Sequence, residues 1–161
     1  GQKINIIAHS MGSRVLTKAL AEVESDAKEA VFSQVILAAP DIDAEVFKAE
    51  ILPRLRNKSD NLTLYASSDD RAVLASRVLH DRSRLGESGE YLVVAEGMDT
   101  VDVTGVDPST LGHSYYASTN ILLSDLKKLI LWSDSPSRRG LQQIQVKNRK
   151  FWRIPLDRNS D

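Results

Sequence analysis

One serine near the start of the chain lies in a pattern that suits a nucleophile. The stretch Ala8-His9-Ser10-Met11-Gly12 follows a short apolar run typical of a buried strand and precedes a helical pattern. A serine held in such a strand-to-helix turn presents its hydroxyl above the sheet, and small residues two positions before and after it relieve steric clashes. The helix start also offers the Met11 N–H to an oxyanion. A simpler role for Ser10, capping of the helix, is the alternative.

A serine hydroxyl is a weak nucleophile, so it needs a base that takes its proton and a carboxylate that orients the base. Asp70 follows the third predicted strand, and His113 follows the fourth. Each residue therefore comes just past the carboxyl end of a strand, where open parallel sheets hold their sites. The sequence predicts Ser10 as nucleophile, Asp70 as acid and His113 as base.

The elements that must position these residues alternate between strand and helix, which is typical of α/β proteins with a parallel sheet. Strands are predicted over 4–8, 34–39, 61–66 and 100–104, and helices over 11–24, 44–56, 71–80 and 118–132. Pro53 is expected to kink the second helix. Residues 81–98 are glycine-rich and charged, and we expect them to form a long surface excursion. The predicted fold class is α/β, with about four parallel strands and flanking helices.

Five stretches together resemble a bacterial family of α/β hydrolases of uncharacterised function. They are Ala8-His9-Ser10-Met11-Gly12, Leu37-Ala38-Ala39-Pro40-Asp41-Ile42-Asp43, Leu64-Tyr65-Ala66-Ser67-Ser68-Asp69-Asp70-Arg71-Ala72, Val101-Asp102-Val103 and Gly112-His113-Ser114-Tyr115-Tyr116. The resemblance implies an esterase- or lipase-like enzyme with Ser10 as nucleophile, Asp70 as acid and His113 as base, in the chain order of the α/β-hydrolase triad. Ala8 replaces the commoner first glycine of the turn, a change small enough to leave the turn possible.

The implied reaction is hydrolysis of a small-molecule carboxylic ester or acyl substrate through an acyl-enzyme on Ser10. An acyltransferase would use the same triad and pass the acyl group to an acceptor other than water. A non-catalytic binding module could keep the same scaffold. These two alternatives remain open.

Several aspartates follow strands, so the acid has competitors. Asp70 is favoured because the acid of this fold usually follows the strand two after the nucleophile strand. Asp41, after the second strand, is the alternative acid and otherwise a residue expected to contact substrate. Asp69 is expected to cap the helix that follows.

The remaining candidates are aromatic or imidazole side chains near the predicted triad. His9 adjoins Ser10 and is expected to line the substrate pocket rather than to act as base. Tyr115, two residues after His113, is expected to form an aromatic wall of that pocket. His80 ends a helix, where an imidazolium complements the helix C-terminus, so a surface cap is expected.

The nucleophile strand comes first in this chain, although several strands normally precede it. An edge strand that exposes apolar side chains is an aggregation hazard. We therefore expect the N-terminal part of the same domain upstream, residues 1–134 to be the C-terminal part of that domain, and 135–161 to be a tail docked on it. The second oxyanion donor would come from the upstream part, so the chain by itself would hold the triad without the full oxyanion hole and could be inactive.

Composition excludes several other classes of function. The 161 residues are 42% hydrophobic and 27% charged with a formal net charge of −1, which is typical of a globular domain and does not favour a nucleic-acid partner. The absence of cysteine excludes disulfides and thiolate metal sites. No metal-ligand pattern, phosphate loop, targeting signal or transmembrane run is present, so we predict no metal, cofactor or membrane span and assign no compartment.

Overall fold

The computed structural model describes residues 4–22, 30, 32–55, 57–106 and 116–156, with the side chains of 116–119 excepted. Strands and helices alternate along most of this length. The strands are β1 (Ile4–His9), β2 (Phe32–Ala38), β3 (Ser59–Ala66), β4 (Asp99–Asp102), β5 (Gln142–Val146) and β6 (Arg149–Arg153). The helices are α1 (Gly12–Glu22), α2 (Ala44–Val46), α3 (Leu52–Leu55), α4 (Arg71–His80), α5 (Tyr116–Trp132) and α6 (Pro136–Arg139). A π-helical segment, Phe47–Ile51, joins α2 to α3, and a 3₁₀ turn covers Gly89–Tyr91.

The described strands form one sheet in the order β1-β2-β3-β4-β6-β5. Neighbouring strands from β1 to β4 are parallel, β6 runs parallel to β4, and β5 is antiparallel to β6. The register aligns His9 with Ala38 and Ala38 with Tyr65, so the first three strands end at one level. This mostly parallel sheet with flanking helices confirms the predicted fold class. The turns that follow β1, β2 and β3 therefore meet at one edge of the sheet.

The middle strands are buried on both faces because helices cover both sides of the sheet. Val35, Ile36 and Leu37 in β2 are successive residues with at most 2% exposure, so side chains pointing to either face are covered. One cluster packs β2 and β3 against α1 and the α2–α3 region, and a second packs the opposite face against α5. Each fully buried Leu or Ile contributes about 1.5–3 kcal/mol to folding. The core thus fixes the strand ends from two sides.

The second helical region departs from the predicted regular helix. Residues 44–55 are helical, as expected, but Phe47–Ile51 has π-helical hydrogen bonding and ends two residues before Pro53. Proline has no backbone N–H to donate and crowds the preceding turn, which accounts for a departure from α geometry at this point.

The prediction of a surface excursion at 81–98 is wrong for much of that segment. Arg84, Leu85 and Glu87 are at most 2% exposed, and Leu92 and Val93 belong to the core. The charged residues were the misleading feature, since Arg84 is buried in an ion pair with Asp41 after β2 and Glu87 in an ion pair with Arg77 on α4. A charged residue can be buried when the fold gives it an oppositely charged partner, so charge by itself does not predict exposure.

The C-terminal segment contributes to the sheet itself. Residues 135–156 contain α6 and the β5–β6 hairpin, which raises the number of strands from the expected four to six. The side chains of β5 are mostly exposed, and those of β6 include only one buried residue, Phe151. Such an edge hairpin leaves little hydrophobic pattern in the sequence, which is why only a tail was predicted.

Candidate active site

Ser10 occupies the strained turn between β1 and α1. Its φ is 50°, in the left-handed region that non-glycine residues seldom adopt. The Ser10 N–H donates to the Ala38 carbonyl at 3.0 Å, and the Ser10 carbonyl accepts from the Ser13 N–H at 3.1 Å. The first bond ties the turn to the end of β2, and the second begins the helix. Ser10 is half-buried, so its hydroxyl lies at the carboxyl edge of the sheet and not within the core.

The surroundings of Gly12 differ from the sequence argument. Apart from its chain neighbours and the backbone of its own helix, a Cβ atom built at Gly12 would meet no described atom within 4 Å. The expected clash with a neighbouring strand two positions after Ser10 is therefore not found among the described residues. The strain of the turn resides in Ser10 itself.

The predicted oxyanion donor lies at the start of α1. No acceptor for the Met11 N–H is found among the described residues, and the Met11 side chain is 66% exposed. The first N–H groups of a helix have no partner within the helix, and they point to where an anion would bind. Met11 is thus able to donate to a substrate oxygen.

Asp70 is held rigidly at the N-terminus of α4. Its Oδ1 accepts from the N–H groups of Ala72 at 2.9 Å and Val73 at 3.0 Å. Among the described residues, none donates to Oδ2. One oxygen therefore anchors the side chain, and the other is able to accept from a base. The helix cap expected at Asp69 is wrong, since Asp70 is the cap.

Asp41 is engaged with other residues. Its Oδ1 accepts from the Ser76 hydroxyl at 2.6 Å and from Nε of the buried Arg84 at 2.7 Å. Burial by itself raises the pKa of Asp41, but the bonds from Ser76 and Arg84 outweigh it, so the pKa lies below the usual range. A carboxylate neutralised by a guanidinium has little charge left to orient a base. This pairing favours Asp70 over Asp41 as the acid.

Asp41 is nevertheless close to the Ser10 turn through its backbone. The Asp41 N–H donates to the Ser10 carbonyl at 3.4 Å. The segment that carries Asp41 is held from the other side by residues 83–87, since the Gly86 N–H donates to the Pro40 carbonyl at 2.9 Å. A Cβ at Gly86 would come within 2.8 Å of the Ala39 carbonyl carbon, so glycine is required at this close approach. This contact between residues 83–87 and the segment that carries Asp41 was not predicted from the sequence. Gly86 was the feature of the sequence that could have indicated it.

A small apolar cavity of about 60 Å³ lies beside the ends of β1, β2 and β3. His9 and Asp70 line it together with Ile7, Ala38, Ala39, Tyr65, Ser67, Val103, Leu122 and Leu126. The fold therefore brings two of the predicted site residues, His9 and Asp70, to one cavity. His113 and Tyr115 lie outside the described residues.

The described residues hold no group of three or more His, Cys, Asp or Glu side chains that could bind a metal ion. Within the same part of the chain, no helix combines the length and apolar character needed to cross a bilayer.

Comparison with protein families gives one match. The model of a family described as "Alpha/beta hydrolase of unknown function" matches residues 1–131. The chain belongs to this family, which confirms the resemblance found in its motifs and supports a hydrolase-like fold. The match covers β1 to most of α5, and α6 and the β5–β6 hairpin lie beyond it. No curated protein and no solved structure matched the chain.

Proposed function

We propose that this chain carries the catalytic residues of a serine hydrolase that cleaves small-molecule carboxylic esters through an acyl-enzyme on Ser10. The observation that carries the proposal is the left-handed φ of 50° at Ser10, between β1 and α1. Backbone strain of this kind persists only where the surrounding structure enforces it, and it is concentrated at functional sites. A serine that only caps a helix adopts β-region dihedrals without such strain, so capping does not account for this geometry.

In the proposed mechanism, His113 takes the proton of the Ser10 hydroxyl as its oxygen attacks the ester carbonyl carbon. The carbonyl oxygen becomes an oxyanion and accepts a hydrogen bond from the Met11 N–H. The tetrahedral intermediate then breaks its bond to the alkoxy oxygen, which leaves as an alcohol with the proton from His113. Water, deprotonated by His113, attacks the acyl-enzyme; the bond between the acyl carbon and Ser10 Oγ then breaks, Oγ takes the proton back from His113, and the carboxylic acid departs.

Asp70 has the role of the acid that orients His113 and stabilises its imidazolium. Support comes from its anchored Oδ1 and its Oδ2 without a described donor, together with the position of Asp70 after β3. His9, Asp41 and Tyr115 are proposed to contact the substrate. His9 is supported by its position in the wall of the apolar cavity, and Asp41 by its backbone contact with Ser10.

We also propose that residues outside this chain supply the second oxyanion donor and pair with β1. The support is the exposure of β1, which has β2 as its only described neighbour in the sheet. Ile4 and Ile7 are 55% and 49% exposed, which is unusual for isoleucines of a parallel strand.

The test is covalent labelling with a fluorophosphonate, which reacts with activated serine hydroxyls. It uses the natural full-length protein that contains this chain. We expect the label on Ser10, no label in Ser10→Ala, and undiminished labelling in Ser137→Ala, a matched control because Ser137 is exposed on α6. Turnover of p-nitrophenyl acetate should fall by roughly 10³-fold or more in Ser10→Ala. An unlabelled wild-type protein would instead support the binding-module alternative.

A second arm of this test separates the two candidate acids. Asp70→Asn should lower kcat by about 10²- to 10⁴-fold, because the base loses its orienting carboxylate. Asp41→Asn should lower kcat less than Asp70→Asn does. Thermal unfolding is measured for Asp41→Asn as well, because the loss of the ion pair with Arg84 can lower stability. A greater loss of kcat in Asp41→Asn would reassign the acid. Product analysis with an added alcohol or amine distinguishes hydrolysis from acyl transfer.

A further inference from the structure

The turn that ends in Asp70 is cross-linked to the residues that follow β4. This turn, residues 67–70, is called the acid turn below. The Thr104 Oγ1 accepts from the Ser68 N–H at 3.0 Å and from the Ser68 hydroxyl at 3.1 Å. Asp69 Oδ2 accepts from the Gly105 N–H at 2.8 Å. Three hydrogen bonds thus join two neighbouring strand ends at the residues directly before Asp70.

Asp102 at the end of β4 fixes the position and orientation of Thr104. Its Oδ1 accepts from the Thr104 N–H at 3.1 Å and from the Thr104 hydroxyl at 2.6 Å. Because a threonine hydroxyl has one proton, donation to Asp102 leaves only the lone pairs of Oγ1 to face Ser68. Thr104 Oγ1 is therefore oriented to accept hydrogen bonds from the acid turn, and this orientation depends on the charge of Asp102.

Arg153 on β6 completes the network from the other side. Its Nε and Nη2 both donate to Asp102 Oδ2, at 3.0 and 2.8 Å, and the Ser88 hydroxyl donates to Oδ1 at 2.8 Å. Asp102 is only 3% exposed. Burial raises its pKa, but the bonds from Thr104, Ser88 and Arg153 outweigh this effect, so the carboxylate is charged at neutral pH. A bidentate guanidinium is the strongest of these donors in general.

We propose that Arg153 and Asp102 are positioning residues for the acid, acting on Asp70 through Thr104 and Ser68. This inference rests on the proposed function, since it assigns a role relative to Asp70. It extends the site to the C-terminal hairpin, because Arg153 lies on β6, beyond the family match at 1–131. The hairpin then contributes to catalysis as well as to the edge of the sheet.

Arg153 and Asp102 can affect the rate because catalytic groups tolerate only small displacements. Asp70 Oδ1 is anchored on α4, so the direction of Oδ2 depends on the backbone just before it. Ser68 lies two residues away and takes its position from Thr104. Catalytic groups must be held within about 0.5 Å, and a displacement of about 1 Å can cost roughly 10²-fold in rate.

The experiment measures kcat and KM of the natural full-length protein with p-nitrophenyl acetate over a range of pH. The variants are Arg153→Gln and Thr104→Val. The Thr104→Val change removes the hydroxyl without altering charge and keeps the backbone bond to Asp102. We expect kcat to fall about 10- to 100-fold with KM changed less than about twofold. The pKa on the acid limb of kcat/KM should also fall, because a displaced carboxylate no longer stabilises the protonated base.

Two further variants make the result specific. Arg138→Gln removes the same charge from an exposed position on α6 and should match the wild-type protein. Arg153→Lys keeps a cation but donates from a single nitrogen in place of Nε and Nη2, and it should recover part of the lost kcat. Thermal unfolding is measured for each variant so that kcat refers to folded protein.

The outcomes separate this inference from the proposed function. A wild-type protein that neither turns over the ester nor takes the label at Ser10 would overturn the proposed function, and the positioning role with it. An active wild-type protein with unchanged kcat and acid limb in folded Arg153→Gln and Thr104→Val would overturn the positioning role alone. If Arg153→Gln does not fold, the result with Thr104→Val decides.

Discussion

Asp102 and Asp125 are two aspartates that are each 3% exposed and each paired with an arginine of the C-terminal segment. Asp102 accepts hydrogen bonds at both oxygens, from Ser88, Thr104 and Arg153. Asp125 has one bonded oxygen, Oδ2, which accepts from the Tyr65 hydroxyl and from Arg139 Nη1, the latter at 3.1 Å.

The second network leaves polar atoms without partners. Asp125 Oδ1 and both Nε and Nη2 of Arg139 are buried and make no described hydrogen bond. The pKa values differ accordingly. Burial raises the pKa of Asp125 despite the bonds from Tyr65 and Arg139, whereas the full set of donors holds the pKa of Asp102 below its usual range. Equal burial therefore has opposite electrostatic consequences, and the completeness of the hydrogen bonding decides the sign.

This difference indicates different roles. A fully bonded carboxylate keeps its charge at modest cost and can fix its neighbours, as Asp102 fixes Thr104. Desolvation of an incompletely bonded ion pair costs free energy, so the pair adds little net stability. Its role is to connect the elements that carry its members. Tyr65, Asp125 and Arg139 connect β3, α5 and α6 in the core. The first network is assigned to the site and the second to the attachment of the C-terminal helices.

The largest expected effect comes from removing Arg139. Arg139→Ala leaves the Asp125 carboxylate buried without its ion-pair partner and should lower the free energy of unfolding by about 3–5 kcal/mol. Urea denaturation measures this loss. The double variant Arg139→Met with Asp125→Leu is the control, because it removes the buried charges together and should regain most of the stability. A single variant as stable as the wild-type protein would contradict the role of attachment.

A smaller effect on stability is expected at the other arginine. The Arg153 side chain is 47% exposed, so solvent screens its charge and can replace it at Asp102, which keeps donors from Ser88 and Thr104. Arg153→Ala should lower the free energy of unfolding by about 1 kcal/mol, measured in the same urea assay. A loss as large as that of Arg139→Ala would show that the two networks carry similar weight in folding.

The smallest effect, and the sharpest comparison, is the dependence of stability on pH. The folded pKa of Asp102 lies below its unfolded value, so its contribution is present above the unfolded pKa and is lost as the pH falls through the folded pKa. The folded pKa of Asp125 lies above its unfolded value, so stability decreases as the pH rises between the two. Each unit of pKa difference corresponds to about 1.4 kcal/mol.

Urea unfolding of Asp102→Asn and Asp125→Asn at several pH values between about 3 and 7 tests these signs. Asp102→Asn should lose less stability than the wild-type protein on acidification. Asp125→Asn should lose less as the pH is raised. The same pH response in both variants would remove the basis of the comparison.

Much of the site-bearing architecture was predictable because it depends on local pattern. The helix predicted over 71–80 has those bounds in the structure, and the strand that precedes Ser10 is present as β1. Apolar runs and capping residues act over one or two turns of chain, so they are visible in a single sequence. The parallel order of strands then follows, and with it the placement of Ser10 and Asp70 at the same edge of the sheet.

Other features were missed because they join residues far apart in the chain. Arg84 and Glu87 were expected at the surface, yet they are buried in pairs with Asp41 and Arg77. Arg153 reaches Asp102 across 51 positions of sequence. No local sequence pattern indicates such a partner, since the same charged residue type occurs both at solvated positions and in buried ion pairs.

The sequence by itself determined the alternation of strands and helices, the strained serine turn and the placement of carboxylates after strands. Only the tertiary structure decided which carboxylate oxygens have no donor among the described residues and which carboxylates are bound to an arginine. The reason is that Asp41, Asp70, Asp102 and Asp125 have the same intrinsic chemistry. Their difference arises from the donors that packing brings within about 3 Å of each oxygen.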